Sequence, residues 1–265
     1  MQYLTMTKKM AGLVAGLCLA LAPITQAKQV DVNVAMSNPV IPANATTTTY
    51  VQISMTGIPL PQETKRTPVN LALVLDKSGS MQGQKLQHAK QAARDAVSML
   101  GNNDIVSIVT YDTHVQVLVP ATKASDRANI INAINSIQAG SSTALFAGVS
   151  KGAYEVRKFL SPNRVNRIIL LSDGLANQGP SSPGELGALG RSLASDGITV
   201  STIGLGLDYN EDLMTQLAMN SDGNHMFAET PQDVTEAFAR ELGDVLSVVA
   251  QDVSISFNCA AGIRP

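Results

Sequence analysis

Cysteine is nearly absent from this sequence, since only Cys18 and Cys259 occur among its 265 residues. Cys18 lies in an N-terminal segment that we expect to be removed, which leaves Cys259 alone. An intrachain disulfide in the mature protein is therefore excluded, and a buried core has to provide the stability. We expect Cys259 to be a small buried residue, with an intermolecular bridge as the alternative.

Charge is also sparse, because charged residues make up 15% of the chain and the formal net charge is −2. No basic run follows the first few residues, and binding of nucleic acid requires a concentration of Lys and Arg. We therefore expect no nucleic-acid partner. Long apolar runs are missing after the N-terminal segment, so the rest of the sequence predicts no membrane-spanning helix.

The first 27 residues have the form of a secretory signal peptide. Lys8 and Lys9 precede an apolar run over residues 10–22, and Ala27 ends a short stretch of the kind that a signal peptidase cleaves. A membrane anchor is the competing interpretation, but this run is too short to span a bilayer comfortably. We expect an exported protein that is periplasmic, secreted or at the cell surface, with no integral membrane span after cleavage.

Two regions, residues 28–67 and 249–265, show the alternation of apolar and polar side chains that is typical of half-buried antiparallel strands. The apolar positions are Val30, Val32, Val34, Met36, Val51, Ile53, Met55, Val253, Ile255 and Phe257. We expect both regions to belong to one partial β-sandwich that flanks the middle of the chain. Because a few strands cannot close a sandwich, we expect its remaining strands to lie beyond residue 265.

The middle of the chain, residues 68–248, alternates between continuous apolar runs and segments of helical periodicity. Residues 69–75, 104–111 and 167–171 are runs typical of strands buried on both faces. Strands that alternate with helices pair in parallel through right-handed crossovers. The predicted fold class is therefore α/β: a doubly wound, mostly parallel sheet with helices on both faces.

Oxygen-bearing side chains gather where these segments end. Asp76, Ser78 and Ser80 follow the first buried run at alternate positions. Thr143 directly precedes a helix, and Asp173 follows a later buried run. The carboxyl ends of parallel strands meet at one sheet edge, where open α/β sheets bind ligands. Such a donor set suits a hard cation such as Mg²⁺, although Mn²⁺ and Ca²⁺ accept the same donors.

In these residues the chain resembles the von Willebrand factor type A (VWA) domains. The resemblance covers residues 68–248 and fills all five positions of the family's metal-ion-dependent adhesion site (MIDAS): Asp76, Ser78, Ser80, Thr143 and Asp173. It implies that the serine hydroxyls bind the cation directly, and that the Thr and both Asp residues bind it directly or through water. It also implies that one coordination position is left for an Asp or Glu carboxylate of a partner protein.

Two other functions are compatible with parts of the pattern. A strand ending in Asp can carry the nucleophile of a haloacid-dehalogenase type phosphotransferase or hydrolase, but these enzymes need a second Asp where this chain has Ser78. A structural domain with an unused site is the third hypothesis. His88, His114 and His225 are dispersed, which argues against a zinc site or a catalytic triad. We therefore expect a binding module and not an enzyme.

Residues beside the predicted site receive simpler interpretations. We expect Lys77 to be solvated and Met81 to pack beneath the loop. Asp112 is expected to be a turn residue and not a ligand. Asn177 and Gln178 are candidates for lining the binding face.

Overall fold

The computed structural model describes residues 30–37, 46, 48–58, 66–173, 176–207, 209–248, 253 and 255–256. The chain divides into two compact units, Met1–Ile58 and Pro59–Pro265. The predicted signal peptide and both cysteines lie outside the described residues. Within the described part, none of the helices has the length and apolar character needed to cross a membrane.

The first unit contains the antiparallel strands β1 (Val30–Met36) and β2 (Val51–Gly57), as the alternation in the sequence predicted. The prediction that one face of these strands is half-buried is wrong for this unit, because most of their apolar residues are exposed, from 44% at Val51 to 60% at Val34. Two strands alone cannot enclose a core. Val34 pairs with Ile53 across the two strands. In the C-terminal region, Val253 and Ile255 are described and belong to no strand, and Phe257 lies outside the described residues. The shared β-sandwich therefore stays a prediction.

The second unit is built on a six-stranded sheet in the order β5-β4-β3-β6-β7-β8. Neighbouring strands are parallel except for the antiparallel pair β4 and β5. The strands are β3 (Val69–Asp76), β4 (Ile105–Tyr111), β5 (Val115–Lys123), β6 (Val165–Ser172), β7 (Thr199–Leu205) and β8 (His225–Ala228). This architecture confirms the predicted α/β fold class.

Six helices cover the two faces of this sheet in the described part of the chain. They are α1 (Gln84–Met99), α2 (Arg127–Asn135), α3 (Leu145–Arg157), α4 (Pro183–Ser195), α5 (Glu211–Met219) and α6 (Pro231–Leu246). Their buried residues fall into two clusters: α1, α2 and α6 pack on one face, and α3, α4 and α5 on the other. Helices α4 and α6 start with Pro in the first turn and a capping box, which satisfies the free N–H groups of that turn.

The position of β3 at the centre of the sheet explains why its sequence is apolar except for Asn70 and the terminal Asp76. All eight of its residues are buried. Leu73 belongs to the core beneath α1 and α6, and Val74 belongs to the core beneath α3. Gly152 allows α3 to approach closely, because a Cβ at this position would lie 2.5 Å from Cγ2 of Val74.

Strand register places the ends of β3 and β6 side by side. Leu75 pairs with Leu171, so Asp76 and Ser172 come next to each other at the carboxyl edge of the sheet. The chain leaves β3 towards β4 and later returns to its other side as β6. The carboxyl edge at such a change of direction is where open α/β sheets bind ligands.

Candidate metal centre

Asp76 is a buried carboxylate at the end of β3. Its Oδ1 accepts a 2.8 Å hydrogen bond from the Ser78 backbone N–H, and its Oδ2 accepts a 2.7 Å bond from the Ser172 hydroxyl. Burial raises the pKa of Asp76 to about 6, the hydrogen bonds from Ser78 and Ser172 oppose this increase, and the negative charge of Asp173 adds to it. Among the described residues no Lys, Arg or His forms an ion pair with Asp76. A bound cation would stabilise this carboxylate.

The loop after β3 brings two hydroxyls together. A single 3-10 turn, Gly79–Met81, folds Ser78 and Ser80 towards each other until their hydroxyl oxygens are 3.0 Å apart. Ser78 is buried and Ser80 is exposed, so the pair reaches from the interior to solvent. Met81 is fully buried beneath the loop, as expected from the sequence.

Asp173 joins this pair from the loop after β6. Its Oδ1 accepts a 2.7 Å hydrogen bond from the Ser80 hydroxyl, and its Oδ2 lies 2.5 Å from the ammonium nitrogen of Lys85. The Asp173 residue is only 2% exposed. Both carboxylate oxygens therefore already have a hydrogen-bond donor.

Backbone hydrogen bonds hold the loop before α3 against the loop after β3. The Gly79 N–H donates to the Ser141 carbonyl at 2.7 Å, and the Gly140 N–H donates to the Lys77 carbonyl at 2.6 Å. These bonds do not depend on side chains, so the two loops are fixed relative to each other by their backbones.

Thr143 is buried in the loop before α3 and is held by Asn177. Its N–H donates to Oδ1 of Asn177 at 2.9 Å, and the Asn177 N–H donates back to the Thr143 carbonyl at 3.2 Å. No hydrogen bond in the described part of the chain joins the Thr143 hydroxyl to the other four predicted ligands. Hydrogen bonds thus link four of the five predicted residues, and loop packing brings Thr143 to the same edge.

Lys77 is not solvated, contrary to the sequence-based expectation. Its ammonium pairs with Asp112, and its side chain is 17% exposed. Asp112 accepts a 2.7 Å hydrogen bond from the His114 N–H, as expected for a turn residue. Burial raises the pKa of Asp112, but bonds from Lys77 and His114 outweigh it and hold the pKa below its usual value. A Cβ on Gly140 would lie 1.8 Å from Oδ2 of Asp112, so only glycine fits beside this pair.

Two further residues of the centre were not identified from the sequence. Ser172 is a hydroxyl at the last position of β6 and could have been recognised, since it precedes Asp173 at the predicted sheet edge. Lys85 could not, because a lysine on the surface of a predicted helix is ordinarily solvated.

The donor set fits a hard divalent cation. It consists of two carboxylates and three hydroxyls, and Mg²⁺ and Ca²⁺ take oxygen ligands of these kinds. Within the described ranges no group of three or more His, Cys, Asp or Glu side chains could hold a metal ion. Binding at this edge would therefore depend on the hydroxyls of Ser78, Ser80 and Thr143 as well as on the two carboxylates.

Comparison with known proteins identifies the same region. The family model of the von Willebrand factor type A domain matches residues 70–240. The uncharacterized protein sll0103 of Synechocystis is 32% identical over 174 residues, which are 66% of this chain and 41% of that protein. This chain therefore spans about two fifths of that relative's length.

Solved structures share the fold at low sequence identity. A von Willebrand factor type A protein from Catenulispora acidiphila has a TM-score of 0.65 and 17% identity, covering 82% of this chain and 49% of that one. Proximal thread matrix protein 1 from the mussel byssus, in a structure described as having a zinc occupied MIDAS motif, has a TM-score of 0.54 and 18% identity. That match covers 67% of this chain and 48% of the mussel protein.

Proposed function

This chain belongs to the von Willebrand factor type A family, and we propose that it binds a partner protein through a divalent cation. Domains of this family commonly mediate metal-dependent interactions between proteins. The cation, Mg²⁺ or else Mn²⁺ or Ca²⁺, is held by Asp76, Ser78, Ser80, Thr143 and Asp173. Its open coordination position takes an Asp or Glu carboxylate of the partner.

The observation that carries the proposal is the hydrogen-bonded chain from Ser78 through Ser80 to Asp173. Ser80 donates its hydrogen to Asp173, and the two serine oxygens lie 3.0 Å apart. Because Ser80 uses its only hydroxyl hydrogen on Asp173, Ser78 is the donor in the contact between the two serines. The remaining lone pairs on these two neighbouring oxygens are available to one cation, while Asp173 orients Ser80. Carboxylates that orient metal ligands in this way strengthen the basicity of those ligands.

The charges of the centre support a cation that remains attractive to anions. Asp76 is buried, and Asp173 contacts Ser80 and Lys85. Carboxylates that contact a divalent cation partly through water or hydroxyl groups leave part of its charge and its coordination positions unsatisfied. The cation, when bound, supplies a Lewis-acidic position that faces solvent beside the exposed Ser80. A carboxylate is the protein group that suits this position.

Catalysis is not part of the proposal. Domains of this family are mostly interaction modules. A dehalogenase-type reaction would need a general acid two residues after Asp76, where the hydroxyl of Ser78 has too high a pKa. The corresponding test is to assay the wild type and Asp76→Ala for hydrolysis of generic phosphate esters. Hydrolysis by the wild type that is abolished in Asp76→Ala would contradict a function limited to binding.

Export is part of the proposal and rests on the composition of residues 1–27. A partner would then be met in the periplasm, outside the cell or at its surface. The mass of the protein recovered from the host's exported fraction tests this, because cleavage after Ala27 predicts a chain that starts at Lys28. A full-length cytoplasmic product would contradict it.

Calorimetric titration tests cation binding directly. Mg²⁺, Mn²⁺ and Ca²⁺ are each titrated into chelator-treated protein, with Asp76→Ala as the test variant and Asp196→Ala as the control. Asp196 is an exposed carboxylate that pairs with Arg157. It lies at the C-terminal end of α4. The proposal predicts one ion per chain in the wild type and the control, and none in Asp76→Ala. A wild type that binds no ion would contradict it.

A further inference from the structure

Lys85 occupies an unfavourable position for a cation. It lies in the first turn of α1, where the helix dipole places partial positive charge. The first turn of α1 contains no acidic residue that could offset this charge. The anionic partner of Lys85 therefore comes from outside the first turn of α1.

That partner is the buried carboxylate of the metal centre. The Lys85 ammonium lies 2.5 Å from Oδ2 of Asp173, whose side chain is 0% exposed against 32% for Lys85. Lys85 also borders the loop after β7, because a Cβ placed on Gly206 would lie 3.9 Å from its ammonium nitrogen. The side chain thus extends from α1 over the sheet edge to the carboxylate.

The charge of Lys85 changes the net charge of the site to which a cation would bind. Asp76 and Asp173 contribute two negative charges, and Lys85 cancels one of them. A divalent cation then converts a centre of charge −1 into one of charge +1. Without Lys85 the same cation would convert a centre of charge −2 into a neutral one.

We propose that Lys85 determines the balance between the two binding steps of the centre. Its ammonium weakens the binding of the divalent cation, because like charges repel across a partly buried site. It leaves the loaded centre with a net positive charge, which strengthens the attraction for an anionic carboxylate. This inference rests on the proposed function, and it assigns Lys85 a role in setting affinity, not in holding the cation.

The first experiment measures affinity for the metal alone. Mn²⁺ is titrated calorimetrically into the wild type, Lys85→Met, Lys85→Arg and the control Lys151→Met. Lys151 lies two turns along α3, with its ammonium 4.7 Å from the centroid of the Tyr154 ring, so its substitution removes the same charge elsewhere. We expect Lys85→Met to bind Mn²⁺ at least fivefold more tightly than the wild type, and the other two variants to stay within about twofold.

The second experiment measures anion binding to the loaded centre. Acetate is added to the Mn²⁺-loaded proteins, and displacement of manganese-bound water is followed by the relaxation rate of water protons. We expect acetate to bind Lys85→Met at least threefold more weakly than the wild type, Lys85→Arg or Lys151→Met. Thermal unfolding of each variant confirms that it is folded.

The outcomes separate the inference from the proposed function. If Lys85→Met binds Mn²⁺ as weakly as the wild type or more weakly, Lys85 is only a positioning group for Asp173 and the inference is overturned. Unchanged acetate binding in Lys85→Met would also overturn it. A wild type that binds no Mn²⁺ at all would instead overturn the proposed function, and the inference with it.

Discussion

The Ser80 hydroxyl donates a 2.7 Å hydrogen bond to Asp173, a residue 93 positions later in the chain. This bond connects the loop after β3 with the loop after β6 directly. It also fixes where the Ser80 oxygen presents its lone pairs. The arrangement of the proposed centre therefore depends on a hydroxyl and a carboxylate from different strands.

Replacing Ser80 with Ala should weaken Mn²⁺ binding at least tenfold, because the substitution removes a ligand together with its orienting bond. It should also lower the free energy of unfolding by about 1–2 kcal/mol, since a buried oxygen of Asp173 loses its donor. Calorimetry and urea unfolding measure the two effects. Ser98→Ala is the control, because the Ser98 hydroxyl donates to the Arg94 carbonyl on the exposed side of α1. Equal Mn²⁺ affinity in Ser80→Ala and Ser98→Ala would show that Ser80 is not a ligand.

Replacing Asp76 with Asn should stabilise the metal-free protein while abolishing cation binding. The pKa of Asp76 is raised from 3.8 to about 6 in the fold, so its charged form costs free energy above pH 6. The gain from removing this charge should be about 3 kcal/mol at pH 8, and it should vanish as the pH falls to about 3, below the unfolded-state pKa, where the carboxyl is protonated in both states. Urea unfolding in EDTA at both pH values checks this. An Asp76→Asn variant that is less stable than the wild type at pH 8 would contradict this expectation. It would mean that the hydrogen bonds from Ser78 and Ser172 outweigh the cost of burying the charge.

Replacing Gly140 with Ala should disturb the centre without unfolding the domain. The new Cβ would lie 1.8 Å from Oδ2 of Asp112, so either this carboxylate or the loop before α3 must move. We expect Mn²⁺ affinity to fall several-fold and the free energy of unfolding to fall by about 1–3 kcal/mol. Gly243→Ala in α6 is the matched control, since nothing lies within 4 Å of a Cβ there. Because Ala favours helix, the control should gain up to about 1 kcal/mol. Unchanged metal affinity in Gly140→Ala would show that the loop adjusts freely.

Asp104 lies at the opposite end of the sheet from the metal centre, and it should make the free energy of unfolding depend on pH. Burial raises its pKa, but hydrogen bonds from Arg66, Val69 and Gly101 outweigh this and hold the pKa below 3.8. Because the folded-state pKa is lowered, the contribution is fully present above the unfolded value and is lost as pH falls through the folded value. Asp104→Asn should therefore cost about 1–2 kcal/mol at pH 7 and progressively less below pH 4.

Urea unfolding of Asp104→Asn across this pH range is the measurement. Asp196→Asn is its control, because Asp196 forms an exposed ion pair with Arg157 and should lose at most about 0.5 kcal/mol. A constant difference between wild type and Asp104→Asn from pH 7 to pH 3 would contradict the expected titration.

The sheet could be predicted because a strand that is buried on both faces has a run of consecutive apolar residues. Strand β3 lies at the centre of the sheet, so its residues from Leu71 to Leu75 are all apolar. The strands β1 and β2 could also be predicted, because their apolar and polar residues alternate. Their exposure could not be predicted, since alternation shows that a strand has an apolar side but not whether anything packs on it.

The candidate centre was predictable where it depends on strand ends and not where it depends on long side chains. Asp76 and Asp173 follow buried strands, and parallel strands bring such ends together. Lys77 and Lys85 were missed as partners of Asp112 and Asp173 because a flexible lysine can reach many positions. Only the folded backbone decides which carboxylate lies within its range.

The most direct test of a cation held at this edge is anomalous diffraction from a crystal of the protein soaked in Mn²⁺. The account predicts one strong anomalous peak within about 2.5 Å of the hydroxyl oxygens of both Ser78 and Ser80. It also predicts that the peak lies beside Thr143 and both carboxylates and is absent from Asp76→Ala crystals. A peak bound elsewhere, or none at saturating Mn²⁺, would contradict it.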